Sequence, residues 1–158
     1  MEFRVVGPED EALLADLFGQ IDTTFFRPHP FTPTMARVIA TRSGQDLYAL
    51  LVDDEVPVAY GMLRGWDEGY PIPSLGIAVR SGLSGRGIGR RMMDELHSAA
   101  IERGSSSVRL RVHANNARAR RLYEGLGYEY TGEKCSEIGM RVHDDESFLR
   151  SASPPHHR

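Results

Sequence analysis

Cysteine is nearly absent from this chain of 158 residues: Cys135 is the single one. One thiol cannot close an internal disulfide, so no cross-linked scaffold is expected, and a reducing, cytoplasmic location fits. Long apolar runs are missing too. No stretch approaches the ~18 residues of a membrane span, and Met1-Glu2-Phe3-Arg4-Val5-Val6 has no apolar centre of a signal peptide. No excess of basic charge exists either, because the formal net charge is −3. Nucleic-acid binding domains are normally strongly basic, so no nucleic-acid partner is expected, and no membrane partner. What remains is ordinary for a soluble globular domain, with 41% hydrophobic and 26% charged residues. The length suits one domain, expected over 1–146, with a flexible tail at 147–158 around Pro154-Pro155-His156-His157.

The informative stretch starts at Ser74-Leu75-Gly76-Ile77-Ala78-Val79, a short apolar run that reads as a buried strand. Arg80-Ser81-Gly82 turns the chain, and Ser84-Gly85-Arg86-Gly87-Ile88-Gly89-Arg90 leads into good helix formers. Glycine lacks a Cβ and tolerates positive φ, so backbone can approach a ligand closely. The first N–H groups of a helix have no intrahelical partner and lie at the positive end of its dipole. Such a loop suits a phosphate or pyrophosphate. It is not a P-loop, because Gly82 to Gly87 is followed by Ile88 and not by lysine and a hydroxyl residue. Nor is it a dinucleotide fingerprint, since the third glycine arrives one residue early.

The rest of the chain reads as alternating strands and helices. Phe3–Val6 is a strand, and Gly7-Pro8-Glu9-Asp10 opens a helix bearing Leu13, Leu14, Leu17 and Ile21. Prolines at 28, 30 and 33 forbid helix through Phe25–Phe31. That loop is read either as core-edge packing or as a wall of an acceptor pocket. A second helix is expected from Thr34 to Ser43-Gly44. Leu47–Val52 and Val56–Arg64 form a hairpin, with Pro57 suited to an edge or a first position. The Trp66–Tyr70 loop carries aromatics and carboxylates. After the glycine loop, Ile88, Met92, Leu96 and Ala99/Ala100 make a helical stripe. From Ser107 to His113 the residues alternate, which puts Arg109, Arg111 and His113 on a face that is wet or meets anions. Asn116 caps a helix over Ala117–Leu126, closed by Gly127, and 128–131 and 137–143 are closing strands.

The glycine loop resembles the acyl-CoA loop of the GNAT superfamily of N-acetyltransferases, Arg/Gln-x-x-Gly-x-Gly/Ala, with Ser84 in place of the Arg/Gln. Arg86 and Arg90 are the charges that could compensate. Asn116-x-x-Ala119-x-x-Leu122-Tyr123-x-x-x-Gly127-Tyr128 is similar to the second motif of that family, with Tyr128 for phenylalanine. The resemblance covers about Leu75 to Tyr130. It implies an α/β (α+β) fold: a mixed sheet of roughly six to seven strands, splayed at its centre, with about four helices. It implies acetyl-CoA as cosubstrate and no metal. The pantetheine arm would pair with Ile77, Ala78 and Val79, and the loop from Ser84 to Arg90 would hold the pyrophosphate. Asn116 and Ala119 would complete the cofactor site, and Tyr123 would be the general acid. The implied activity is acetyl transfer to the amine of a small molecule. A protein N-terminus or lysine is the alternative acceptor, and a non-catalytic acyl-CoA sensor the alternative function. Asp67, Glu68 and His113 are the candidates for a base. A homodimer is compatible with the family but unmarked in the sequence.

Overall fold

The computed structural model describes residues 1–24, 28–130 and 137–142. Its plan follows from β2 (Leu47–Asp53), whose first six residues are all buried. Successive side chains of a strand point to opposite faces. Leu47, Ala49 and Leu51 join one core cluster, and Tyr48, Leu50 and Val52 join another. A strand apolar on both faces needs cover on both sides. The helices α1 (Glu11–Phe18) and α2 (Pro33–Thr41) supply it on one side through Leu14, Leu17, Ala36 and Ile39. On the other side stand α3 (Ile88–Glu102) and α4 (Ala117–Gly125), through Met92, Met93, Leu96 and Tyr123, with Leu126 at the C-cap of α4.

The remaining strands are β1 (Glu2–Val5), β3 (Val56–Arg64), β4 (Ser74–Val79), β5 (Arg109–His113), β6 (Tyr128–Tyr130) and β7 (Glu137–Val142). They form a seven-stranded sheet in the order β1-β2-β3-β4-β5-β7-β6. Every neighbouring pair is antiparallel except β4 and β5, which run parallel because α3 crosses over between them. That pair is held at two positions, Ser74↔Arg109 and Leu75↔Leu110. Beyond them β4 stays with β3 as far as Ala59↔Val79, and β5 stays with β7 as far as His113↔Glu137. The strands therefore part in the middle of the sheet. The expected mixed, centrally splayed sheet with four flanking helices is what the described residues form.

Local chemistry sets the element ends. The first strand lies one residue earlier than the sequence implies, and Pro8–Asp10 is a 3-10 turn before α1. In α2 the proline at 33 occupies the first helical turn, where its missing N–H costs nothing, and the Thr32 hydroxyl accepts from the Met35 N–H at 3.0 Å. Pro57 is the second residue of an interior strand, and the ladder shifts register opposite it, between Leu51 and Val52. That irregularity absorbs the donor that proline lacks. Cys135, Phe25, Phe26 and the tail at 147–158 lie outside the described residues. Among the described residues no helix is long and apolar enough to cross a membrane.

Gly61 of β3 lets α3 approach the sheet. A Cβ there would stand 2.7 Å from Met92 Sδ and 2.9 Å from Leu96 Cδ1. Gly61→Ala overpacks this contact and is expected to cost about 1–3 kcal/mol. Thermal unfolding reads that as a fall in Tm of about 2–4 °C per kcal/mol.

Candidate active site

The gap between β4 and β5 is the floor of a cleft of about 970 Å³. Ligand pockets usually run from roughly 300 to 1,000 Å³. Ile77, Ala78 and Val79 line it, and so do Ser84, Gly85, Gly87, Gly89 and Arg90, together with Asn116, Ala119 and Tyr123. Residues far apart in sequence thus meet on one surface. Arg86 and Ile88 do not join them: Arg86 is exposed and off the lining, and the Ile88 side chain is buried in the α3 core cluster.

One end of the cleft is the glycine loop. Gly82, Gly85 and Gly87 have φ of 87°, 80° and 80°, which L side chains rarely adopt. Gly87 is the N-cap of α3, so the first N–H groups of a fifteen-residue helix open beside the loop. A Cβ on Gly87 would meet none of the described atoms within 4 Å; the space in front of it is open. Gly89 differs, since it lies inside the helix, where a Cβ would make an ordinary 3.5 Å contact with Leu122 Cδ2. A cation missed in the sequence reading also stands here. A guanidinium nitrogen of Arg118 lies 3.1 Å from the position a Gly85 Cβ would take. The bare loop, the helix end and Arg90 and Arg118 fit a diphosphate.

Tyr123 sits on α4, whose first turn is fixed by the Asn116 side chain accepting from the Ala119 N–H at 3.3 Å. That bond accounts for Asn116 as a helix cap, while its place on the lining leaves it facing the cleft. Tyr123 is 6% exposed, and burial pushes its phenol well above the ordinary tyrosine range. Its ring centroid is 5.7 Å from that of Tyr128. Behind it, the Tyr128 hydroxyl is 2.7 Å from Nε2 of the buried His97. The hydroxyl that distinguishes Tyr128 from a phenylalanine thus has a built partner.

The three candidate bases separate. Asp67 is off the lining: its carboxylate accepts from the N–H of Gln45 at 2.6 Å and of Asp46 at 3.2 Å, and pairs with Arg42 at 2.8 Å. These bonds, the Gln45 N–H first, hold its carboxyl below the usual range, and it serves as a loop clamp. His113 lines the cleft, but the Asn115 N–H donates to its Nδ1 at 3.1 Å. The proton of the neutral ring therefore sits on Nε2, which is a donor and not a base. Glu68 is exposed and lines the cleft.

Of the 25–31 loop, Pro28 lines the cleft, while Phe31 packs against Phe18, His29 and Tyr60 at 4.7, 5.4 and 6.0 Å. Phe31 is core-edge packing. In the second loop Tyr70 lines the cleft, and the Trp66 ring lies under the Arg103 guanidinium at 5.2 Å.

Solved structures share this architecture. The GNAT domain of PAT from S. lividans superposes with a TM-score of 0.76 at 13% identity, covering 89% of this chain and 88% of that one. The ribosomal-protein-S18-alanine N-acetyltransferase from Escherichia coli gives 0.69 at 20% identity, over 89% and 92%. A chimera of spermidine N-acetyltransferase SpeG from Vibrio cholerae and hSSAT gives 0.74 at 13% identity, over 94% and 97%. At these identities the likeness is one of fold. The sequence model of the acetyltransferase (GNAT) family matches residues 14–128, the span that builds both walls of the cleft. With the split sheet, the glycine loop and the helix of Tyr123 all inside that match, the chain belongs to the GNAT family of acetyltransferases.

Proposed function

We propose that this protein transfers an acetyl group from acetyl-CoA to the primary amine of a small molecule, by direct attack while both are bound. One observation carries the reading. The parting of β4 from β5 leaves the β5-facing side of Gly76–Val79 without a strand among the described residues, in a cleft that ends at the glycine loop and contains Tyr123. A pantetheine arm can take the place of the missing strand, with its diphosphate at Gly85–Arg90. Acetyl-CoA supplies an activated thioester. A backbone N–H of Ala78 or Val79 would polarise its carbonyl.

The reaction balances with one acid. The neutral amine nitrogen bonds to the carbonyl carbon, the C–S bond breaks, the sulfur takes the Tyr123 proton, the nitrogen loses its proton to Glu68 or water, and solvent returns a proton to the phenolate. Free thiol and phenol have pKa values of ~8.5 and ~10, a gap worth about 2 kcal/mol. Burial of Tyr123 widens that gap. Proton transfer must therefore accompany C–S cleavage and not follow it. An amine of pKa ~8 reaches its neutral form at pH 7 for about 1 kcal/mol, so Glu68 or water suffices to take its proton.

Coenzyme A release on mixing the protein with acetyl-CoA and a panel of amines tests this. Release with a small amine is expected. Release with peptides alone would make the protein a protein acetyltransferase. Acetyl-CoA binding with no release from any amine would make it a sensor.

A further inference from the structure

The charged side chains of the cleft fall into two groups. Arg90 and Arg118 stand by the glycine loop, where the diphosphate would lie. The second group is not used by that reading. Arg64 of β3 pairs with Ser74 of β4, and Ser74 pairs with Arg109 of β5. Directly opposed residues project to the same face. Three adjacent strands thus carry Arg64, Ser74 and Arg109 in one row, with the arginine Cα atoms roughly 10 Å apart across a serine. Arg111 follows on the same face of β5, because Leu110 and Val112 are buried in the opposite core. All three arginines line the cleft, Arg64 and Arg109 at the Ser74 rung and Arg111 just past the last rung, and Glu68 and Tyr70 line the same cleft.

Two carboxylates, Asp22 and Glu68, stand beside these three guanidinium groups among the described lining residues. Asp22 accepts from the Thr24 N–H at 2.9 Å and from its hydroxyl at 2.5 Å, which leaves Glu68. Arg64 is half-buried and donates to the Pro28 carbonyl at 3.2 Å, so its guanidinium is anchored. Arg109 and Arg111 are exposed and also contact protein groups, so a ligand anion would join those contacts.

We propose that the acceptor amine carries a carboxylate or phosphate, and that Arg64, Arg109 and Arg111 bind this oxyanion at the closed end of the cleft. The proposal rests on the acetyl-transfer reading above. A guanidinium offers a fork of donors that matches either oxyanion. The same charges oppose a polyamine, which brings further positive charge to the site. Amino acids and phosphorylated amino sugars are therefore the expected acceptors, and spermidine is not.

Calorimetric titration of the CoA-saturated protein with an amino acid panel, the matching amides, a phosphorylated amino sugar and spermidine reads the preference without turnover. The best acid should bind at least about tenfold tighter than its amide. The stronger of the carboxylate and phosphate arms identifies the oxyanion. Arg64→Gln and Arg111→Gln should each remove most of that preference, with CoA affinity within about twofold. An amide equal to its acid, spermidine binding tightest, no oxyanion binding at all, or variants that weaken CoA instead would overturn the proposal. Acetyl-CoA turnover on the same series keeps the two ideas apart. Arginine-dependent acid binding without CoA release fails the transfer reading and retains the anion site, whereas release that is indifferent to acid or amide does the reverse.

Discussion

Tyr123→Phe is expected to lower kcat by about 10²–10⁴-fold, the usual contribution of a positioned acid. The substitution removes one oxygen and keeps the ring that packs against Tyr128, so the fold and the acetyl-CoA Kd should hardly change. Calorimetric binding beside steady-state rates would show loss of rate without loss of affinity. The pH profile gives a second check. Tyr123 works as an acid only while protonated, which holds below its pKa, and burial raises that pKa above the ordinary ~10. The wild-type rate should therefore show no alkaline fall from this group below about pH 10. A rate that survives the substitution would exclude Tyr123 as the donor, whereas a fall centred near pH 8 that the substitution abolishes would keep the donor and overturn its raised pKa.

Gly87→Ala is expected to raise the Kd for acetyl-CoA by tenfold or more. At a φ of 80° an alanine is strained by about 1–2 kcal/mol, which the loop can relieve by moving. Either outcome harms binding, because the N-cap of α3 shifts or a methyl group enters the open space before it. Gly125→Ala is the matched control. It lies at the end of α4, a Cβ there would meet nothing among the described atoms within 4 Å, and it is expected to leave affinity unchanged. Thermal shift with saturating acetyl-CoA would report both variants. Equal shifts for the wild type and Gly87→Ala would remove the loop from the binding site.

The readable parts of this chain were those whose chemistry is local. Gly85 and Gly87 carry their conformational demand wherever they stand, and Asn116 caps the helix it precedes within one turn. The alternation of Arg109, Arg111 and His113 put them correctly on an open face of β5. What they face there follows from Ser74 of a parallel neighbour, and register between distant strands leaves no mark on either one. Arg118 was missed for the same reason: only the folded α4 carries it over Gly85. Asp67 shows the opposite failure. An acidic residue in an aromatic loop resembles a catalytic carboxylate, but its partners are backbone N–H groups more than twenty positions away. His97 and Tyr128, thirty-one positions apart, form a buried bond that neither helix nor strand periodicity announces.

The two-rung seam between β4 and β5 also bears on how this molecule comes apart. Three strands, β5, β7 and β6, hang on the other four through Ser74↔Arg109 and Leu75↔Leu110, helped by α3 and α4. Cooperative units joined so thinly can open separately, below the cost of global unfolding. A ligand lodged along the seam bridges both units, and at a hundred times its Kd it adds about 2.7 kcal/mol to the closed form. On the proposed reading the acyl donor would be a structural member as well as a reactant: each round of catalysis would remove a beam from the sheet and set it back.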